Sequence, residues 1–104
     1  MDRRRSRRVR SRFEALVSSG GREGAGVLTD ISYSGARIES ASLRPEVGTC
    51  VRFYVFVQPV LPFELIGHVV RITENGFAIE YDVSDLEVRR LVDDVAAIVA
   101  APRD

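Results

Sequence analysis

The hydrophobic period of this chain changes once, from two residues to about 3.6, and this divides it into a strand-forming body and one terminal helix. Through the body, apolar residues alternate with polar ones in short runs closed by glycine, proline or asparagine. Phe13, Ala15 and Val17 share one side of a first strand over residues 12–18, and Ser19-Gly20-Gly21 marks a turn. Val27, Thr29 and Ile31 share a face of a second strand over 26–31, and a short third covers 36–39. The clearest alternation is Val51, Phe53, Val55 and Val57. Pro59 and Pro62 then stop sheet pairing, because proline donates no backbone hydrogen bond. A fifth strand runs over 64–72. Asn75-Gly76, a dipeptide suited to positive φ at both turn positions, predicts a hairpin into a sixth over 77–83.

After that the spacing becomes helical. Val88, Leu91, Val92, Val95, Ile98 and Val99 form one stripe, with charged residues opposite, and Ser84 and Glu87 make a capping box. The expectation is an all-β fold with one terminal helix: a six-stranded antiparallel barrel plus a C-terminal α-helix over 84–100. Closing the sheet removes the exposed edges that a small β domain must otherwise protect. A length of 104 residues supports one core and one domain. Residues 1–11 are too polar to join that core and read as a flexible arginine-rich arm; the domain then covers 12–101.

The formal charge is zero, but its distribution is not even. Residues 1–12 carry seven arginines and one aspartate; the rest carries eight arginines and fourteen acids. The arm attracts polyanions and the body repels them. There is no lysine, so every cation is a planar fork able to grip a phosphate with two hydrogen bonds or stack on a base. Cys50 is the single cysteine, which excludes an internal disulfide or a cysteine-rich metal site. The N-terminal arginines are followed by Arg10, Arg12 and Glu14 instead of an apolar run, so they do not read as a secretory leader. No stretch reaches transmembrane length. The expected location is the cytoplasm.

Two segments carry chemistry. Arg4 and Arg8 form an RxxxR pattern; Asp30, Ser32 and Gly35 form DxSxxG after a strand. Guanidinium groups suit phosphates and guanine edges, and a carboxylate and hydroxyl beside a glycine turn suit base and phosphate hydrogen bonds. Each segment has a plainer reading: a solvated basic tail for the first, and a strand end capped by its own side chains for the second. Their order and spacing favour the ligand reading. Other sites are weaker. His68 has no second histidine beside it, Cys50 has no catalytic partner, and Glu80 and Asp82 read as a solvated strand face. No catalytic or metal set emerges, and an enzyme is not expected.

The segments Asp2-Arg3-Arg4-Arg5-Ser6-Arg7-Arg8-Val9 and Thr29-Asp30-Ile31-Ser32-Tyr33-Ser34-Gly35-Ala36-Arg37 together resemble the two signatures of the PilZ domain family. The resemblance covers nearly the whole chain. It implies a bacterial receptor for cyclic di-GMP, bound as a ligand with no cofactor. Arg4 and Arg8 would clamp phosphates and guanines, Asp30 and Ser32 would hydrogen-bond the ligand, and Gly35 would keep the floor clear. Arg3, just before the motif, would favour a stacked pair of ligand molecules. Arg3 and Arg7 make a second RxxxR, but Val9 after Arg8 favours the Arg4–Arg8 register. The implied protein is a single-domain adaptor that orders its arm on binding and signals to an unidentified effector protein, as a monomer or weak dimer, without membrane contact. Two alternatives stand beside it: a basic-arm barrel that binds nucleic acid, disfavoured by the acidic body, and a PilZ-like interaction module that needs no ligand.

Overall fold

The computed structural model describes residues 8–57, 63–82 and 86–100. In chain order the elements are β1 (Arg8–Ser19), β2 (Arg22–Ser32), β3 (Gly35–Glu39), β4 (Cys50–Val55), β5 (Phe63–Ile72), β6 (Phe77–Tyr81) and α1 (Leu86–Ala100). The strands form a closed antiparallel barrel in the order β1-β2-β3-β6-β5-β4, so the expected fold class is observed. β4 closes it onto β1, with Val17 opposite Phe53 and Ala15 opposite Val55.

Alternation fills the interior. Val17, Leu28, Ile38, Val51, Phe53, Val69 and Phe77 are buried. Phe53 and Phe77 meet at 5.9 Å with their planes tilted by 48°, a favourable geometry for two ring quadrupoles. α1 lies against β1 and β2. Its stripe buries Val92 and Val95, with Val88, Leu91 and Ile98 packed beside them. Val99, expected in the stripe, is 47 % exposed. Cys50, read from the sequence as a small hydrophobe near a loop, is exposed at the start of β4.

β2 begins at Arg22, four residues before its expected start, and three further differences from the expected pattern have a local cause. β1 begins at Arg8, four residues earlier than alternation indicated, because Val9 turns inward between outward-facing arginines. Arg8, Val9 and Arg10 pair with Ser32, Ile31 and Asp30; residues 1–7 of the expected arm lie outside the described residues, as does Ser84 of the capping box. In β2 the inward set is Gly26, Leu28 and Ile31, not Val27, Thr29 and Ile31. A register shift between Leu28 and Asp30 inserts one extra residue and exchanges the two faces. The third difference concerns turns. Asn75-Gly76 does not adopt positive φ; those two positive values occur at Gly20 (59°) and Gly21 (79°), which join the directly paired Ser19 and Arg22. That is the two-residue hairpin whose twist matches its strands. The β5–β6 link is longer, and Thr73 N–H donates to the Gly76 carbonyl at 3.0 Å.

Candidate ligand-binding site

Three register shifts surround one patch of the outer wall: in β1 between Arg10 and Phe13, in β2 between Leu28 and Asp30, and in β5 between Val69 and Arg71. A bulge re-aims every side chain beyond it. Without the β2 bulge, Asp30 would continue the inward series of Gly26 and Leu28. With it, Ile31 turns in, and Asp30 and Ser32 turn out. The β5 bulge does the same for Arg71, which would otherwise follow Leu65, Gly67 and Val69 into the core and instead lies exposed opposite Ala78. Local groups satisfy the distortion, since Ser11 Oγ donates to the Leu28 carbonyl at 2.8 Å.

The resulting registers lay two rows of outward residues across the wall. One runs Arg10, Asp30, Arg37, Ala78 and Arg71 over five strands. In the other, Arg8 faces Ser32, and across the turn Gly35 faces Glu80, which faces His68. Charged groups stand at both sides, with Gly35, Ala78 and the Arg37 side chain between them. The depression between them, about 130 Å³, is lined by Arg8, Asp30, Ser32, Gly35, Arg37, Arg71, Ala78 and Glu80 among others. Four of the expected site residues, Arg8, Asp30, Ser32 and Gly35, are therefore brought together. Arg3 and Arg4 lie outside the described residues. Arg37, Arg71 and Glu80 were not singled out as site residues from the sequence. Arg37 was within reach, because it lies two residues from Gly35 on the same strand face.

Asp30 Oδ1 is buried and has no hydrogen-bond partner among the described residues. Leaving such an acceptor unsatisfied costs about 1–3 kcal/mol or more. Arg37 Nε lies 3.2 Å from Glu39 Oε2, yet its N–H is not aligned to form a hydrogen bond. Both groups retain hydrogen-bonding capacity at the cavity.

Ser32 builds the turn. Its hydroxyl donates to the Gly35 carbonyl at 3.1 Å and accepts from the N–H groups of Gly35 at 3.1 Å and Ser34 at 3.3 Å. Tyr81 also donates to the Gly35 carbonyl, at 2.8 Å. Burial pushes the Tyr81 hydroxyl well above its usual pKa, only partly opposed by a backbone hydrogen bond from Ser32, so it remains a donor at any physiological pH. A second tie runs to the helix: Tyr33 Oη donates to Asp93 Oδ1 at 2.7 Å, and the Arg89 guanidinium carbon lies 5.1 Å from the Tyr33 ring centre.

Gly35 is required here by close approach, not by backbone conformation. It is not among the positive-φ residues, but a β-carbon added to it would collide with the Ile79 carbonyl oxygen. Gly35→Ala is expected to push β3 from β6 and to lower stability by about 1–3 kcal/mol, the usual cost of overpacking. Urea unfolding measures this, and an unchanged midpoint would mean that the strands separate freely. On the same wall, the expected solvated pair Glu80 and Asp82 flanks His68, with Nδ1 3.0 Å from Asp82 Oδ1 and Nε2 4.0 Å from Glu80 Oε1. No group of three or more potential metal ligands occurs among the described residues.

The sequence profile of the PilZ domain matches residues 2–97. No significant match was found among curated protein sequences. Two solved structures share the fold. The PilZ domain of CeSA from a cellulose-synthesizing bacterium superposes with a TM-score of 0.71 at 21 % identity, over 86 % of this chain and 98 % of that one. The inhibitor of motility of Bacillus subtilis, MotI/DgrA, superposes with a TM-score of 0.72 at 15 % identity, over 99 % of this chain and 55 % of that one. This chain thus spans about half of the motility inhibitor. Matched by the profile along almost its whole length and built as the same barrel with a terminal helix, the chain belongs to the PilZ domain family, whose non-catalytic domains generally serve as receptors for cyclic di-GMP.

Proposed function

We propose that this domain is a cytoplasmic receptor for cyclic di-GMP that closes its N-terminal arginines over the ligand and relays binding to an effector protein. The observation that supports this best is the buried Asp30 Oδ1, without a hydrogen-bond partner among the described residues, in a cavity also lined by Arg8. Guanine fits that pair: its N1–H and N2–H₂ donate to a carboxylate, and O6 and N7 accept a guanidinium fork. Arg4 supplies the second fork of RxxxR, and Arg3 assists a stacked ligand pair. Fixing the arm costs about 1–2 kcal/mol per residue, and charge-assisted bonds of about 1.5–3 kcal/mol each offset it. The Tyr33 ties to Asp93 and Arg89 offer a path from the ligand turn to α1, from which a partner reads the bound state.

Isothermal titration with cyclic di-GMP, using GTP and a short oligonucleotide as controls, tests this reading. Tight, selective heat with cyclic di-GMP is expected, and a ratio near two ligands per chain supports the role of Arg3. A folded sample that gives no heat with cyclic di-GMP overturns the receptor reading. Oligonucleotide binding with a steep salt dependence would put a nucleic-acid barrel in its place.

A further inference from the structure

We propose that Arg71 and Glu80 form a second base-recognition subsite that reads the other guanine of the ligand; this rests on the cyclic di-GMP reading above. The cavity has two chemically similar walls. Arg8 and Asp30 stand on β1 and β2; Arg71 and Glu80 stand on β5 and β6, beyond Gly35 and Arg37 of β3 and the small Ala78. Each wall offers one guanidinium and one carboxylate, the complement of guanine's O6/N7 acceptors and N1–H/N2–H₂ donors.

The registers give the spacing. Ala78 faces Arg71, and Glu80 lies two residues further along the same outward face of β6. Such diagonal neighbours have their Cα atoms about 7–8 Å apart, close enough for long side chains to hold two edges of one base. From β2 to β5 is three strand steps through β3 and β6, or about 14 Å along the wall. A mononucleotide does not span that distance, whereas a ligand with two bases does. Both side chains are accessible. Among the described residues no ion pair engages the Arg71 guanidinium, and the Glu80 side chain is 62 % exposed, with its His68 neighbour at 4.0 Å, beyond hydrogen-bond distance. Arg71 faces this cavity because of the β5 bulge between Val69 and Arg71.

The test compares cyclic di-GMP with cyclic GMP–AMP, in which adenine replaces one guanine, by titration of the parent, Arg71→Ala and Glu80→Gln. The parent should prefer cyclic di-GMP by about tenfold or more, the usual worth of a well-made base contact, and both variants should bring the two affinities towards parity. Circular dichroism and melting curves confirm that the variants are folded. A parent that binds both ligands equally, or variants that keep its full preference, overturns the second subsite while leaving the receptor reading intact. A parent that binds neither ligand removes the receptor reading itself, and the subsite with it.

Discussion

Arg8→Ala should weaken cyclic di-GMP binding by about 3 kcal/mol or more, roughly two decades in Kd, while the barrel stays folded. Arg8 faces Ser32 across the β1–β2 ladder and lines the cavity that contains Asp30. Its removal deletes the charge-assisted bonds that its own guanidinium makes to the ligand, which Arg10 and Arg37 on either side of Asp30 do not replace at that position. Arg52→Ala is the control. Arg52 lies on β4, where its Nε sits 3.0 Å from Glu64 Oε2 in an exposed pair, and such pairs contribute about 0–1 kcal/mol. It removes the same formal charge away from the cavity, so binding should hardly change. Titration of both variants decides the matter: equal losses would assign the effect to overall charge, and no loss at Arg8 would remove the clamp. Arg4→Ala and Arg3→Ala, measured alongside, distinguish the two RxxxR registers.

Phe53→Ala should destabilise the domain by about 3–5 kcal/mol, the range for deleting a buried aromatic ring. Small domains hold only about 5–15 kcal/mol in total. Phe53 is fully buried against Phe77 at the join of β4 with β1 and β5, and the space left behind has few ways to collapse. Phe56, three residues along, is 42 % exposed, and Phe56→Ala should cost less than about 1 kcal/mol. Urea unfolding of the pair tests whether the barrel interior holds the fold; similar losses from both would show that the inward face has no special weight. The same measurement keeps binding defects at Arg8 separate from unfolding.

Much of the candidate site was legible before folding was considered. Asp30, Ser32 and Gly35 are close in sequence, so a strand end and a turn keep them near one another, although the outward aim of Asp30 depends on the β2 bulge. Arg8 needed one hairpin to reach them, and Gly20-Gly21 provides it. Two of these residues also have structural roles. Ser32 organises its own turn, and Gly35 is required by the passage of β6, a contact between residues more than forty positions apart. Arg71 and Glu80 were hidden for a similar reason. They reach the cavity from another part of the chain, and the face on which Arg71 falls is set by a bulge that has no fixed residue signature.

Local periodicity was enough to indicate six strands and a terminal helix, because alternation and helical spacing act between near neighbours. The pairing of a basic segment with DxSxxG was enough to point to the family. Strand order, the extra residues in β1, β2 and β5, and therefore the outward direction of Asp30 and Arg71, came from the closed barrel. Closure requires every strand to match two neighbours at once, and one inserted residue exchanges the faces of all that follow it. Which side chains face the ligand is consequently a property of the whole ladder.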